Sequence, residues 1–187
     1  MELKQLIRER RSVHRFQDRE VPAELIIEML DTAVWAPNHK MTQPWRFIIS
    51  SGDGRKPIAE ACRTMNERWE WDPEKKKATG EKYYKKIMGN PMIITIVMKE
   101  NPYLQVREED YASTAIVIHN LSLLAWEQGI GMVWETYPWL HEEVFREAVG
   151  IEPGERAVGN LHVGYPAVVP KSIPRIPASE RVTLIDR

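Results

Sequence analysis

A single cysteine, Cys62, stands in a chain of 187 residues, so no intramolecular disulfide framework and no cysteine-based zinc cluster can be built. Histidine is scarce as well: His14, His39, His119, His141 and His162 show no ligand pair at helical spacing, which makes a histidine metal site a poor reading. Net charge is almost absent. Twenty-six basic and 27 acidic side chains leave a formal charge of −1, so nothing electrostatic points to nucleic acid or an anionic membrane as partner. Long hydrophobic runs are missing too: the longest, Ala112 to Trp126, is interrupted by His119 and Asn120 and is too short to span a bilayer. Met1 to Glu9 is charged and lacks the apolar core of a secretory signal, so the cytoplasm is the expected location. No internal repeat, HExxH, P-loop or Ser-His-Asp spacing is present.

What is there suits one folded domain, expected to span residues 1–187. Hydrophobic residues make up 43% and charged residues 28%, a balance that argues against wholesale disorder and allows a substantial core. Seven tryptophans are many for this length. Aromatic side chains pack cores and interfaces, and they also stack against planar ligands.

The hydrophobic spacing predicts alternating helices and strands. Leu3 to Glu9 reads as a short helix, and a second helix opens at Val21-Pro22 and ends before Pro37. Arg46 to Ser50 reads as a strand, Arg55 to Met88 as helix interrupted near Asp72-Pro73, and Met92 to Met98 as a buried central strand rich in β-branched residues. Asn101 to Asp110 reads as a loop over an opening. Tyr111 to Gln128 reads as a helix so apolar on every side that a subunit interface is a natural place for it. Ile130 to Trp134 and Arg156 to Val163 are further strands, with a helix at His141 to Val149 between them. Pro166 to Arg187 is a proline-rich tail that cannot form a core of its own. Together these elements suggest a mixed α+β sandwich.

Four segments could carry chemistry. Arg10-Arg11-Ser12 offers two planar, permanently charged donors and a hydroxyl suited to a phosphate, although taken alone it reads first as a solvated basic helix end. The turn Asn38 to Gln43, between Pro37 and Pro44, supplies mixed donors and acceptors of the kind a flat heteroaromatic edge requires, or simply satisfies its own backbone. Gly129-Ile130-Gly131 leads to a strand end, Trp134-Glu135-Thr136, that could turn backbone N–H groups toward a ligand; the same glycines also serve a tight connection. Gly164-Tyr165-Pro166 is followed by Lys171 and Arg175, two cations in the extended tail.

In this order, from Arg10 to Arg175, the four segments resemble the FMN-dependent nitroreductase family, with its arginine-rich serine-containing first motif, its Ala-Pro-(polar)-Gln-Pro-Trp turn (here Ala36 to Trp45), its glycine-rich turn and strand, and its Gly-x-Pro with basic residues beyond. The Asn38-His39-Lys40 form of the turn is similar to that of a compact subgroup of small NAD(P)H nitroreductases. His14 stands where several relatives carry arginine or lysine.

The resemblance implies a nitroreductase-like sandwich: a central, mostly antiparallel sheet flanked by helices, in an intertwined homodimer with FMN at the subunit interface and the 166–187 tail on the partner. It implies that Arg10, Arg11 and Ser12 bind the phosphate and ribityl end of FMN, that His39 and Gln43 meet the flavin, and that Trp134, Glu135 and Thr136 line its ring. Lys171 and Arg175 would reach toward the phosphate. The implied reaction passes a hydride from NADH or NADPH to the flavin and then electrons to a small planar acceptor such as a nitroaromatic or quinone, with no protein nucleophile. His39 could donate a hydrogen bond or a proton near the ring. The alternative is a flavin-binding dimer with a sensing or interaction role and little turnover.

Overall fold

The computed structural model describes residues 2–186; Met1 and Arg187, the ends of the expected domain and tail, lie outside them. Four strands, β1 (Trp45–Ser51), β2 (Met92–Lys99), β3 (Gly131–Glu135) and β4 (Glu155–Gly164), form one antiparallel sheet in the order β1-β2-β4-β3. Every β2 residue from Met92 to Met98 is buried, as an unbroken apolar run covered on both faces should be. The two-residue period of the strand sorts its side chains. Met92, Ile94, Ile96 and Met98 pack with α2 (Ala23–Ala33) and α5 (Leu104–Glu127) on one face. Ile93 and Val97 pack with α3 (Lys56–Trp69) and α6 (Glu143–Val149) on the other, where α4 (Lys76–Met88) adds Ile87. The hydroxyl of buried Thr95 donates to Asn160 Oδ1 at 2.8 Å, satisfying two polar groups between the central strands.

The sheet is extended beside β3 by chain from both ends. After α1 (Leu3–Glu9), Ser12 bridges Met132 in parallel and the Val13 N–H donates to the Met132 carbonyl at 3.0 Å. Farther on, Gln17 N–H donates to Tyr165 and Ala167 N–H to Arg15. Gly131 permits this approach: a Cβ there would stand 2.6 Å from Val13 Cγ2.

Two expectations shift. Residues 104–110, expected as loop, are the first two turns of α5. Five of the seven are polar and the two apolar ones, Leu104 and Val106, do not make an apolar period, so nothing marked them as helix, although Leu, Gln, Arg and Glu all favour it. Pro22 takes the N-cap of α2 rather than its first turn. The α5 helix buries one stripe, including Thr114, Val117, Leu121 and Ala125, while Ile116 is exposed and Leu123, Leu124 and Trp126 are only half-buried. The tail beyond Pro166 runs over the surface with Ile173, Leu184 and Ile185 exposed. Among the described residues no helix is long and apolar enough to cross a membrane.

Candidate functional site

The first motif sits where α1 ends and the chain turns to run beside β3. Arg10 is half-buried there, and Arg175 of the tail comes close enough for its charge to be felt. Burial, then the charges of Arg11 and Arg175, hold the Arg10 guanidinium below its ordinary pKa. Arg11 Nη1 donates to the Arg8 and Arg10 carbonyls at 2.7 and 2.8 Å, and Arg175 Nη1 to the Ile173 carbonyl at 2.7 Å. Among the described residues no carboxylate pairs with Arg10, Arg11 or Arg175. Three cations gathered without an acid have the charge and the planar donors that suit an anion. Beside them, Arg10, Ser12 and Trp134 line a groove of about 210 Å³ whose far wall is Ala115, Ile118, His119 and Ser122 of α5. Lys171 is exposed on the tail, outside this groove.

At the end of β3, Trp134 lies against β4 and donates from Nε1 to the Val158 carbonyl at 3.3 Å. Glu135 points into a neighbouring cavity of about 450 Å³, lined also by His14, Arg15, Lys85, Lys86 and His162. Its carboxylate lies 3.7 Å from Lys86 Nζ and 3.8 Å from His14 Nδ1. Lys86 donates to the Tyr137 hydroxyl at 2.6 Å, and burial beside Glu135 raises that hydroxyl's pKa, so Tyr137 stays protonated. His162 is 2% exposed and its Nε2 has no partner; burial, then the charges of Lys86 and His14, lower its pKa to about 4. It is therefore a neutral imidazole at physiological pH. Thr136, just past the strand, is exposed.

The polar turn is the most strained backbone near the site. Lys40, Met41 and Gln43 have φ of 56°, 50° and 43° without being glycine, each at a cost of about 1 to 3 kcal/mol. Side chains hold it there. Asn38 Oδ1 accepts the Gln43 N–H at 2.7 Å, and Asn38 Nδ2 donates to Thr42 Oγ1 at 3.0 Å and to Ser113 Oγ at 3.3 Å. The Thr42 hydroxyl donates to Asp110 Oδ1 at 2.5 Å, and His39 Nδ1 lies 2.6 Å from Glu109 Oε2. Thus the segment read as a loop supplies the mount for the turn, whose His39 and Gln43 are left exposed.

The two parts of the site do not meet within one protomer. Glu109, Asp110 and Ser113, which hold the turn, and Ala115, Ile118, His119 and Ser122, which wall the arginine groove, project roughly 180° apart around α5 and about 12 Å apart along it. The structure therefore brings Arg10, Arg11, Ser12, Trp134 and Arg175 together, with Glu135 in the adjoining cavity, and keeps His39 and Gln43 on the other side of the helix. Lys86, Tyr137, His162 and the acids of α5 were not singled out from sequence. Lys86 belongs to a lysine-rich helix in which nothing marks one lysine from another. Cys62 is no candidate nucleophile: it is buried, and desolvation pushes its thiol up to about 12. Among the described residues no group of three or more His, Cys, Asp or Glu could hold a metal.

Arginines without acids at one end and an aromatic with mixed donors and acceptors at the other suit an elongated ligand, anionic at one end and planar at the other. The chain is similar to known proteins over nearly its whole length. The chain is 36% identical over 183 residues to "Putative NAD(P)H nitroreductase YfhC" of Bacillus subtilis (strain 168), covering 97% of this chain and 93% of that protein. It is 28% identical over 167 residues to YdjA of Escherichia coli (strain K12), covering 89% of each. The crystal structure of a nitroreductase-like family protein from Bacillus cereus superposes with a TM-score of 0.90 at 36% identity, over 100% of this chain and 97% of that one. The FMN and NADPH-dependent nitroreductase NfnB from Sphigopyxis sp. strain HMH shares the fold, with a TM-score of 0.79 at 16% identity and 100% coverage of both chains. The model of the nitroreductase family matches residues 7–165, and with these relatives over nearly the full length, the chain belongs to the nitroreductase family.

Proposed function

We propose that this protein is an FMN-dependent NAD(P)H oxidoreductase that passes electrons to a small planar acceptor such as a nitroaromatic or a quinone, and that it works as a homodimer. The observation that carries the reading is the cluster of Arg10, Arg11 and Arg175, which no carboxylate among the described residues pairs, beside Ser12 and Trp134. YfhC bears the NAD(P)H nitroreductase name, and NfnB is described as FMN- and NADPH-dependent.

When bound, FMN supplies the hydride-accepting ring and returns the electrons to the acceptor. The protein's part is binding and electrostatics. Arg10, Arg11 and Ser12, with Arg175 from the tail, would hold the phosphate end, while Lys171 lies outside the arginine groove. Trp134 and the backbone at Glu135 and Thr136 line the ring. Lys86, 3.7 Å from Glu135, brings positive charge to that end of the site, where it favours an electron-rich ring. His39 and Gln43 come from the second protomer, because the turn lies on the wrong side of α5 to reach its own arginine groove. The half-buried apolar flank of α5 and the exposed apolar residues of the 166–187 tail are then covered by the partner.

The deciding experiment is an absorbance spectrum of the purified protein, then anaerobic addition of NADH and of NADPH. Flavin peaks that bleach within seconds support the proposal and identify the donor. Persistent peaks favour a sensing role, and a colourless protein that takes up no FMN overturns the cofactor assignment.

A further inference from the structure

Glu109 reaches the polar turn at the side chain of His39, next to the contact that Asp110 makes with Thr42. Its Oε2 lies 2.6 Å from His39 Nδ1, while its Oε1 accepts from Gln105 Nε2 at 3.2 Å. Lys40 adds positive charge nearby, and the hydrogen bond from His39 is the largest of the influences that hold the Glu109 carboxyl below its ordinary pKa. An ionised carboxylate has no proton to give, so the imidazole nitrogen that faces it must carry one. The turn cannot drift away from this contact. Asn38, Thr42, Asp110 and Ser113 fix it to the same helix within five residues of Glu109.

We propose that Glu109 is a positioning residue that fixes His39 as its Nδ1–H tautomer, so that neutral His39 offers the cofactor an acceptor at Nε2. This rests on the reading of His39 as a flavin contact. An unrestrained histidine prefers the opposite tautomer, with the proton on Nε2, and would present a donor instead. An acceptor there complements an imide N–H, the one ring donor on the polar edge of an oxidised flavin. The second nitrogen of a functional histidine is commonly set in this way by the hydrogen bond that the first one makes.

The test is nitrogen-15 NMR of histidine-labelled protein without FMN at alkaline pH, with the His39 signals assigned from His39→Gln. Wild type is expected to show His39 protonated at Nδ1. Glu109→Ala should move the proton mainly to Nε2, while Glu109→Gln, which keeps a carbonyl acceptor, should leave it in place. A wild-type His39 protonated at Nε2, or no change in Glu109→Ala, overturns the dyad. FMN titration then tests its purpose. Glu109→Ala and His39→Gln should each weaken FMN binding by about tenfold, and the double variant by no more than the worse single. If His39→Gln binds FMN like wild type, the cofactor-facing role of the dyad is overturned even where the tautomer shifts as expected. If wild type takes up no FMN, the underlying reading fails, and the spectra of the free protein still decide the dyad.

Discussion

The indole of Trp134 occupies the volume that a side chain at Gly159 would need. A Cβ on Gly159 would collide with Trp134 Nε1, and the carbonyl of Glu135 would be 3.0 Å from it. Gly159 thus lets an aromatic ring lie close against β4 at the wall of the arginine groove. Gly159→Ala should displace the ring and cost about 1 to 3 kcal/mol of stability, read by urea unfolding. FMN affinity should fall with it, whereas an alanine that changed only backbone stiffness would leave affinity intact.

Neutralising Arg10 should separate folding from binding. Its lowered pKa means that the charged form is disfavoured in the fold by burial and by Arg11 and Arg175, so at neutral pH the charge weakens the free protein. Arg10→Gln is expected to raise or preserve the melting temperature without ligand. The same variant should lose FMN affinity by tenfold or more, roughly the loss of one charge-assisted hydrogen bond. Inorganic phosphate should stabilise wild type by mass action more than it stabilises Arg10→Gln.

His162 sets part of the acid limb of stability. Its pKa falls from 6.5 to about 4 on folding, so the unfolded chain takes up its proton first. Its contribution is complete above pH 6.5 and is lost as pH falls through the folded value near 4. The full difference is about 3 kcal/mol. Urea unfolding at a series of pH values should show this decline in wild type and a flatter limb in His162→Gln. Glu109 and Glu155, whose pKa values are held below the ordinary 4.5, lose their contributions from about that pH downward, so the decline between pH 6.5 and 4.5 is the part that reports His162.

Removing the Thr42 hydroxyl should loosen the turn. Asp110 is 3% exposed and accepts from Thr42 at 2.5 Å. In Thr42→Val the carboxylate keeps its burial and loses this donor, at about 1 to 3 kcal/mol. Three left-handed residues then have less to hold them, so limited proteolysis should cut first at Lys40.

Much of the fold was legible because it rests on local physics. The apolar run of β2, the stripe Ile26, Met29, Leu30 and Ala33 of α2, and the glycine after α5 each state their element directly. The start of α5 did not, since Glu108, Glu109 and Asp110 show no apolar period, and the roles of Glu109 and Asp110 arise from a turn some 70 residues earlier. The arginine cluster was legible only by family resemblance. Arg10 and Arg175 are far apart in sequence, and neither spacing nor composition joins them. Lys86 was hidden for a related reason: its link to Glu135 runs from a helix to the end of a strand, across 49 residues.

The outward flank of α5 should decide the oligomeric state. Ile116 is 38% exposed on a helix whose neighbouring Leu123 and Trp126 are half-buried, a surface that water alone does not favour. Ile116→Glu introduces two charges into a symmetric dimer, one from each copy. Sedimentation should find wild type dimeric and Ile116→Glu shifted to monomer with its helical circular dichroism retained. Since His39 and Gln43 cannot reach the arginine groove of their own protomer, the monomer should lose FMN together with its partner. A folded monomer that bound FMN as tightly as wild type would show that one chain completes the site, and the shared-site arrangement would fall.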